Sequence, residues 1–424
     1  MSAPTDWFRY KGNHLEIDGT RLEQVANKFG TPCYVYSDRG FLDPLTALKK
    51  GLKGIDHLIC FAVKSNSNLS VLSLLTEAGA GMDIVSGGEL FRALTAGAPA
   101  QEIIFSGVGK TPGEMATALE ADDQGIYAFN VESVAELATL STVAENLGKR
   151  ARVALRFNPD VDAKTHPYIA TGLKRNKFGL DRKEILTIAA AHETFPGVSI
   201  EGISIHIGSQ ILSLRPLRES FTKVRALMKE VEKILPHRLQ FVDLGGGLGI
   251  SYGKERPISI PDFCKLVKEY FGKLSIKVIL EPGRLLSGNA GILLTEILYR
   301  KVRTQRDFLI VDAAMNDLIR PSLYESHHEI VPVQKVKNGK NKKTDVVGPI
   351  CETGDFFAQD RSLPLHLNQG DLLAILSAGA YGFSMASNYN SRPRVAEVLI
   401  QNGTPKLIRE RETYEDLIRG EVHT

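Results

Sequence analysis

Eight short apolar runs of strand length alternate with helix-length segments in the first two thirds of the chain, at 57–63, 82–85, 102–105, 126–129, 152–157, 200–207, 241–244 and 277–280. That alternation predicts parallel strands joined by crossover helices. A doubly wound sheet and a (β/α)8 barrel both satisfy it. The polar residues at the C-terminal ends of the runs favour the barrel: Lys64, Asp83 with Ser86, Ser106, Asn130, Arg156, His206, Gly245 to Gly247, and Glu281 with Arg284. Barrel enzymes gather chemically diverse side chains at that one face, each from a different strand. The expected fold class is therefore α/β, with a TIM-type barrel over 36–284.

From about 285 the pattern changes to recurring β-like runs at 292–303, 307–311, 330–336, 344–347, 372–376 and 394–400. These predict an all-β domain over 285–424, completed by the N-terminal segment 1–35. Composition narrows the function classes. A net charge of +3 gives no argument for nucleic acid or a membrane surface, and no apolar run reaches spanning length. The cysteines at 33, 60, 264 and 351 have no metal-ligand spacing, and the N-terminus is polar, which points to a reducing cytoplasm. The basic cluster 335–343 contains Asn-Gly and reads as a solvated hairpin turn.

Lys64 ends the first strand-like run. A bare ammonium is costly at the end of a buried strand, and that cost favours the neutral amine that Schiff-base chemistry needs. A solvated strand-end lysine is the alternative. Asp243-Leu-Gly-Gly-Gly-Leu-Gly249 follows the seventh run, and its glycines suit either a phosphate or a tight turn. A dinucleotide fingerprint fails on spacing, because Gly245 and Gly247 would need glycine where Ile250 stands. Glu281-Pro282-Gly283-Arg284 can hold a protonated ring nitrogen through its acid and an anion through its arginine, or form a surface pair. His206 can stack on an aromatic cofactor with Ser209 donating to its phosphate, or be structural. Cys351, beside Glu352 and Asp355, lacks the electropositive setting of a nucleophile; it suits a proton donor or an inert thiol. Tyr381, in a small-residue turn, caps a phosphate or packs in the core, and Arg320 with Tyr324 forms an arginine site.

In order and spacing, Phe61–Asn66, His206–Ser209, Gly245–Gly249, Glu281–Arg284, Cys351–Asp355 and Gly379–Gly382 resemble the fold-type III PLP-dependent decarboxylases. Within these the pattern is similar to the diaminopimelate decarboxylases, including the stretches 158–168 and 171–179. The resemblance covers about residues 30–400. It implies pyridoxal 5'-phosphate as cofactor and Lys64 as its Schiff-base lysine. It further implies His206 stacked on the ring, Glu281 at the pyridine nitrogen, and Asp83, Ser209, Gly245, Gly246, Gly247, Pro282, Gly283, Arg284 and Tyr381 around the cofactor. Arg284, Arg320, Tyr324, Glu352 and Tyr381 become substrate contacts, and Cys351 the proton donor. In that family the cysteine and its neighbouring glutamate reach the partner subunit's site, which implies a homodimer with shared active sites. Ser65 departs from the family, which often has alanine there. The implied reaction is decarboxylation of meso-2,6-diaminopimelate to L-lysine. The alternatives are an ornithine-, lysine- or carboxynorspermidine-type decarboxylase, or a catalytically silent PLP-binding homologue.

Overall fold

The computed structural model describes residues 7–162, 177–335 and 340–423. Eight parallel strands, His57–Ala62, Gly81–Ile84, Ile103–Phe105, Ala128–Val131, Ala151–Arg156, Val198–Ser204, Phe241–Asp243 and Lys277–Leu280, pair in chain order, and the eighth closes on the first. The expected (β/α)8 barrel is thus observed; a doubly wound sheet would be open. The sixth strand ends earlier than its apolar run. Ile205 and Ile207 are buried in the loop that follows, because apolarity marks burial rather than strand pairing.

Seven of the helices that follow the strands begin on a side-chain cap. Asn68, Ser86, Thr111, Ser133, Asp181, Ser213 and Ser259 each accept a backbone N–H of the first turn. Thr111 with Glu114 and Asp181 with Glu184 complete reciprocal capping boxes. Each such cap typically contributes about 1 kcal/mol. Asn68, Ser86, Thr111 and Ser133 follow closely on the first four strands, so these caps also fix the loops that carry their polar strand-end residues.

Phe241 fills much of the barrel interior among Cys60, Ile104, Ala128, Ala154 and Ile279. Its ring meets Tyr127 edge-on, centroids 5.4 Å apart. Gly202 makes this possible, since a Cβ there would stand 2.5 Å from the Phe241 ring. The pairing register shifts at the same place, between Ile200 and Gly202.

Contacts group residues 43–250 and 256–285 into one compact unit, and residues up to 42, 251–255 and from 286 onward into another. The second unit contains a nine-stranded sheet in which Cys33–Ser37 lies between Gly291–Lys301 and Ala396–Gln401. The N-terminal segment therefore completes this sheet, as expected. The sheet is mixed: Cys33–Ser37 runs parallel to Ala396–Gln401 and antiparallel to Gly291–Lys301. A small antiparallel sheet formed by Phe8–Lys11, His14–Ile17 and Thr20–Arg21 adds Phe8, Leu15 and Ile17 to the same core.

The basic cluster does not join a hairpin. Ile330–Pro332 pairs with Leu372–Ile375, whereas Asn341–Val347 pairs with Asp307–Val311 and Phe356–Pro364. Residues 336–339 of the cluster lie outside the described residues. Of those described, Lys342 is ion-paired with the buried Asp307 rather than simply solvated. The family-like stretches 158–168 and 171–179 also fall largely on residues outside the description, 163–176.

Candidate active site

The strand-end residues of the barrel surround a cavity of about 180 Å³ lined by Lys64, Ser106, Asn130, Arg156, Ser204, His206 and Glu281, among others. Lys64 sits on the single 3-10 turn Val63–Ser65 that follows the first strand. Its Nζ lies 2.5 Å from Oδ2 of the fully buried Asp83 on the second strand. The lysine is thus no bare buried ammonium. Its side chain keeps a third of its surface exposed, and a carboxylate compensates its charge. The hydroxyl of Ser65 is buried and donates to Ala62 O at 2.8 Å, so the departure from alanine is satisfied inside the turn.

Glu281 is buried, and its Oε1 lies 3.3 Å from Ser106 Oγ and 3.2 Å from Asn130 Nδ2. The same Asn130 nitrogen donates to Asp243 Oδ2 at 2.7 Å. Two buried acids therefore share one amide. Burial first, then the charges of Asp243 and Asp83, raise the Glu281 carboxyl well above the usual carboxylate range. Burial and the two neighbouring acids thus favour the protonated form of Glu281, against the opposing charge of Lys64. Burial also raises Asp243, whose Oδ1 accepts the Gly245 N–H at 2.9 Å.

His206 lies just beyond the sixth strand, and its Nδ1 accepts the Gly246 N–H at 3.2 Å. Burial, followed by the positive charges of Arg156 and Lys64, holds its pKa well below the ordinary histidine value. Both facts describe a neutral ring with its proton on Nε2.

The loop after the sixth strand is zipped to the glycine run. Ile211 N donates to Gly247 O, Gly249 N donates to Ile211 O, and Gln210 exchanges two hydrogen bonds with Ile250. Ser209 is thereby brought to Arg284, whose Nε and Nη2 lie 3.3 and 3.1 Å from its hydroxyl. Close backbone approach dictates the glycines. A Cβ on Gly246 would lie 2.1 Å from Glu281 O, and one on Gly247 would lie 2.2 Å from Gly208 O. Gly245 and Gly247 also take positive φ of 65° and 100°. Gly283 packs its backbone against Ala62 and Ser65, and Pro282 O accepts the Ala62 N–H, which ties the Glu281 loop to the Lys64 turn.

Sequence reasoning left five contributors outside the site. Ser106, Asn130 and Arg156 are visible as polar strand ends. Asp243 is visible as the acid preceding the glycines. Ser204 carries no sequence signal, being a small polar residue within an apolar strand. Arg156 is held by Glu132, Nη1 to Oε1 at 2.7 Å, and lies over the Phe178 ring.

The remaining expected residues belong to the other unit. Arg320 and Tyr324 lie on the short helix Arg320–Tyr324. The buried Arg320 guanidinium contacts Ser326 Oγ at 3.1 Å and His328 Nε2 at 3.4 Å, and lies over the Tyr252 and Tyr324 rings. Cys351 and Glu352 are exposed on the turn that ends at Asp355. Tyr381 has φ 55° between Gly379 and Gly382. A Cβ on Gly379 would lie 2.0 Å from Ser287 O, and one on Gly382 would lie 2.4 Å from Ala378 O.

The barrel residues fit pyridoxal phosphate. Lys64 offers an amine, Glu281 an acid able to give or share a proton with a ring nitrogen, and His206 a neutral aromatic face. Ser209, the glycine run and Arg284 offer donors to an anion. Ser204 Oγ and Asn130 Oδ1 are buried without a hydrogen-bond partner among the described residues, as polar atoms awaiting a ligand would be.

The family described as pyridoxal-dependent decarboxylase, pyridoxal binding domain, matches residues 43–288. The diaminopimelate decarboxylase of Aquifex aeolicus is 48% identical over 413 residues, 97% of this chain and 96% of that protein. The crystal structure of diaminopimelate decarboxylase from Helicobacter pylori complexed with L-lysine superposes with a TM-score of 0.89 at 42% identity, covering 94% of this chain and 98% of that one. The M. jannaschii enzyme in co-complex with L-lysine superposes with a TM-score of 0.93 at 37% identity, covering 100% and 99%. The chain belongs to the PLP-dependent decarboxylases, and within them to the diaminopimelate decarboxylase family.

Proposed function

We propose that the protein decarboxylates meso-2,6-diaminopimelate to L-lysine and CO2 with pyridoxal 5'-phosphate, as the last step of lysine biosynthesis. The observation that carries this reading is the convergence of Lys64, Glu281 and His206 on one cavity. The lysine complexes of two relatives support the product assignment.

Pyridoxal phosphate, when bound, supplies the electron sink that accepts the pair left on Cα as CO2 departs. Lys64 would hold the cofactor through its aldehyde, and Asp83 would keep the lysine amine in place. Glu281, its carboxyl oriented by Asn130, would hold a proton at the ring nitrogen, and an acid there suits decarboxylation. His206 would cover the ring face and exclude water. Ser209, Gly245, Gly246, Gly247, Pro282, Gly283, Arg284 and Tyr381 would surround the cofactor, chiefly its phosphate. Arg284, Arg320, Tyr324, Glu352 and Tyr381 contact the substrate. Arg320 forks the second carboxylate, which ornithine and lysine lack.

The Cys351 S–H bond then breaks as Cα–H forms with the pair left by CO2, and water reprotonates the thiolate. Cys351 and Glu352 are proposed to serve the partner subunit's site in a cytoplasmic homodimer. Among the described residues no helix is long and apolar enough to cross a membrane. The deciding experiment is the product formed from a panel of diamino acids with and without added cofactor. L-Lysine from diaminopimelate alone supports the reading; preferential turnover of ornithine overturns it.

A further inference from the structure

The turn that carries Cys351 is tethered from three distant places. Asp355 closes it by accepting the Ile350 N–H through Oδ2 and the Met315 N–H through Oδ1, both at 2.7 Å. Ser322, on the helix that carries Arg320 and Tyr324, donates to Gly354 O at 2.5 Å. The third tether acts on the cysteine itself: its backbone N–H donates to Asn390 Oδ1 at 3.0 Å.

Asn390 adopts φ 56°, a left-handed conformation that asparagine tolerates better than most residues. The turn around it is braced at both ends. Ser387 exchanges hydrogen bonds with Asn316, Asn388 donates to Arg392 O and Glu412 Oε2, and Arg392 donates to Asp312 O. The preceding residue reaches the neighbouring side chain of the same motif. Hydrogen bonding and charge from Glu352 raise the Tyr389 hydroxyl above its ordinary range. The turn that holds the Cys351 backbone thus also brings Tyr389 close to Glu352.

We infer that Asn390 is a positioning residue for proton delivery: from its left-handed turn it fixes the backbone from which the Cys351 thiol projects. The inference rests on the reading of Cys351 as proton donor. Both residues are exposed, so this hydrogen bond is in exchange with water and contributes little to global stability. What it supplies is direction.

The test compares holoenzymes of Asn390→Gly, Asn390→Asp and Cys351→Ala. Glycine keeps the positive φ and removes the acceptor; aspartate keeps both. Asn390→Gly is expected to lower kcat about 10- to 100-fold, the scale of a slightly misplaced catalytic group, with KM nearly unchanged. It should also yield less than one L-lysine per CO2 released, and Asn390→Asp should restore both. If Cys351→Ala loses these properties while Asn390→Gly keeps them, the positioning role is wrong. If Cys351→Ala itself keeps full kcat and stoichiometry, the proton-donor reading fails and takes the inference with it. Should Asn390→Gly not fold, Asn390→Ala removes the same acceptor and is judged by the same outcomes.

Discussion

Gly246 donates its backbone N–H to Nδ1 of His206 at 3.2 Å, so the glycine run and the ring that faces the cavity set one another's state. The ring can accept only while Nδ1 keeps its lone pair. Nitrogen NMR of labelled protein should therefore show His206 neutral, protonated on Nε2, well below pH 6.5. The unfolded chain takes up a proton near that pH and the folded chain does not, so this group's contribution to stability is lost as pH falls. Relative to His206→Gln, wild-type stability should drop by about 1.4 kcal/mol per pH unit below 6.5. Equal pH slopes for the two proteins would show that the ring titrates normally.

Borohydride reduction of the holoenzyme should fix the cofactor to Lys64, identified by peptide mapping. The ion pair with Asp83 places this amine, among the described lysines, on the cavity wall. An adduct on another lysine would refute the assignment.

Glu281→Ala should lower kcat by about 10²- to 10⁴-fold, the range for loss of a positioned proton donor, while leaving the Lys64 adduct intact. Asn130→Ala should give a smaller loss, because it removes the shared amide and not the acid. Comparable losses in the two variants would place the chemistry on Asn130.

How much of this was legible follows from what each residue does. Strand alternation exposed a parallel α/β fold because buried strands must be apolar, and the polar strand ends singled out the barrel; Lys64 and Glu281 stood out because a charge at such a strand end is conspicuous. Ser204 and the shared role of Asn130 were not legible. Their meaning comes from neighbours on strands far apart in the chain, which only the closed barrel brings together. The expected hairpin at 335–343 failed for a related reason: local turn chemistry names a turn, but pairing is decided by the sheet that receives each strand.

Arg320→Ala should weaken diaminopimelate use far more than cofactor affinity, by about 2–4 kcal/mol in kcat/KM, on the scale of a substrate carboxylate left without its fork. Titration of cofactor and steady-state kinetics separate the two. Equal losses would move Arg320 to the phosphate.

Mixing inactive Lys64→Ala with inactive Cys351→Ala should restore activity, since a mixed dimer with shared sites contains one intact site. Random reassortment makes about a quarter of all sites intact. Demonstrated subunit exchange without recovered activity would exclude sharing.

Gly202 and Phe241 come from adjacent barrel strands and occupy what is effectively a single volume. A side chain added at 202 has nowhere to go unless the ring at 241 shrinks, and a smaller residue at 241 opens a void that 202 is placed to refill. Neither position can drift alone: homologues should exchange bulk between them as a correlated pair, and a redesign of this barrel must treat the two as one variable.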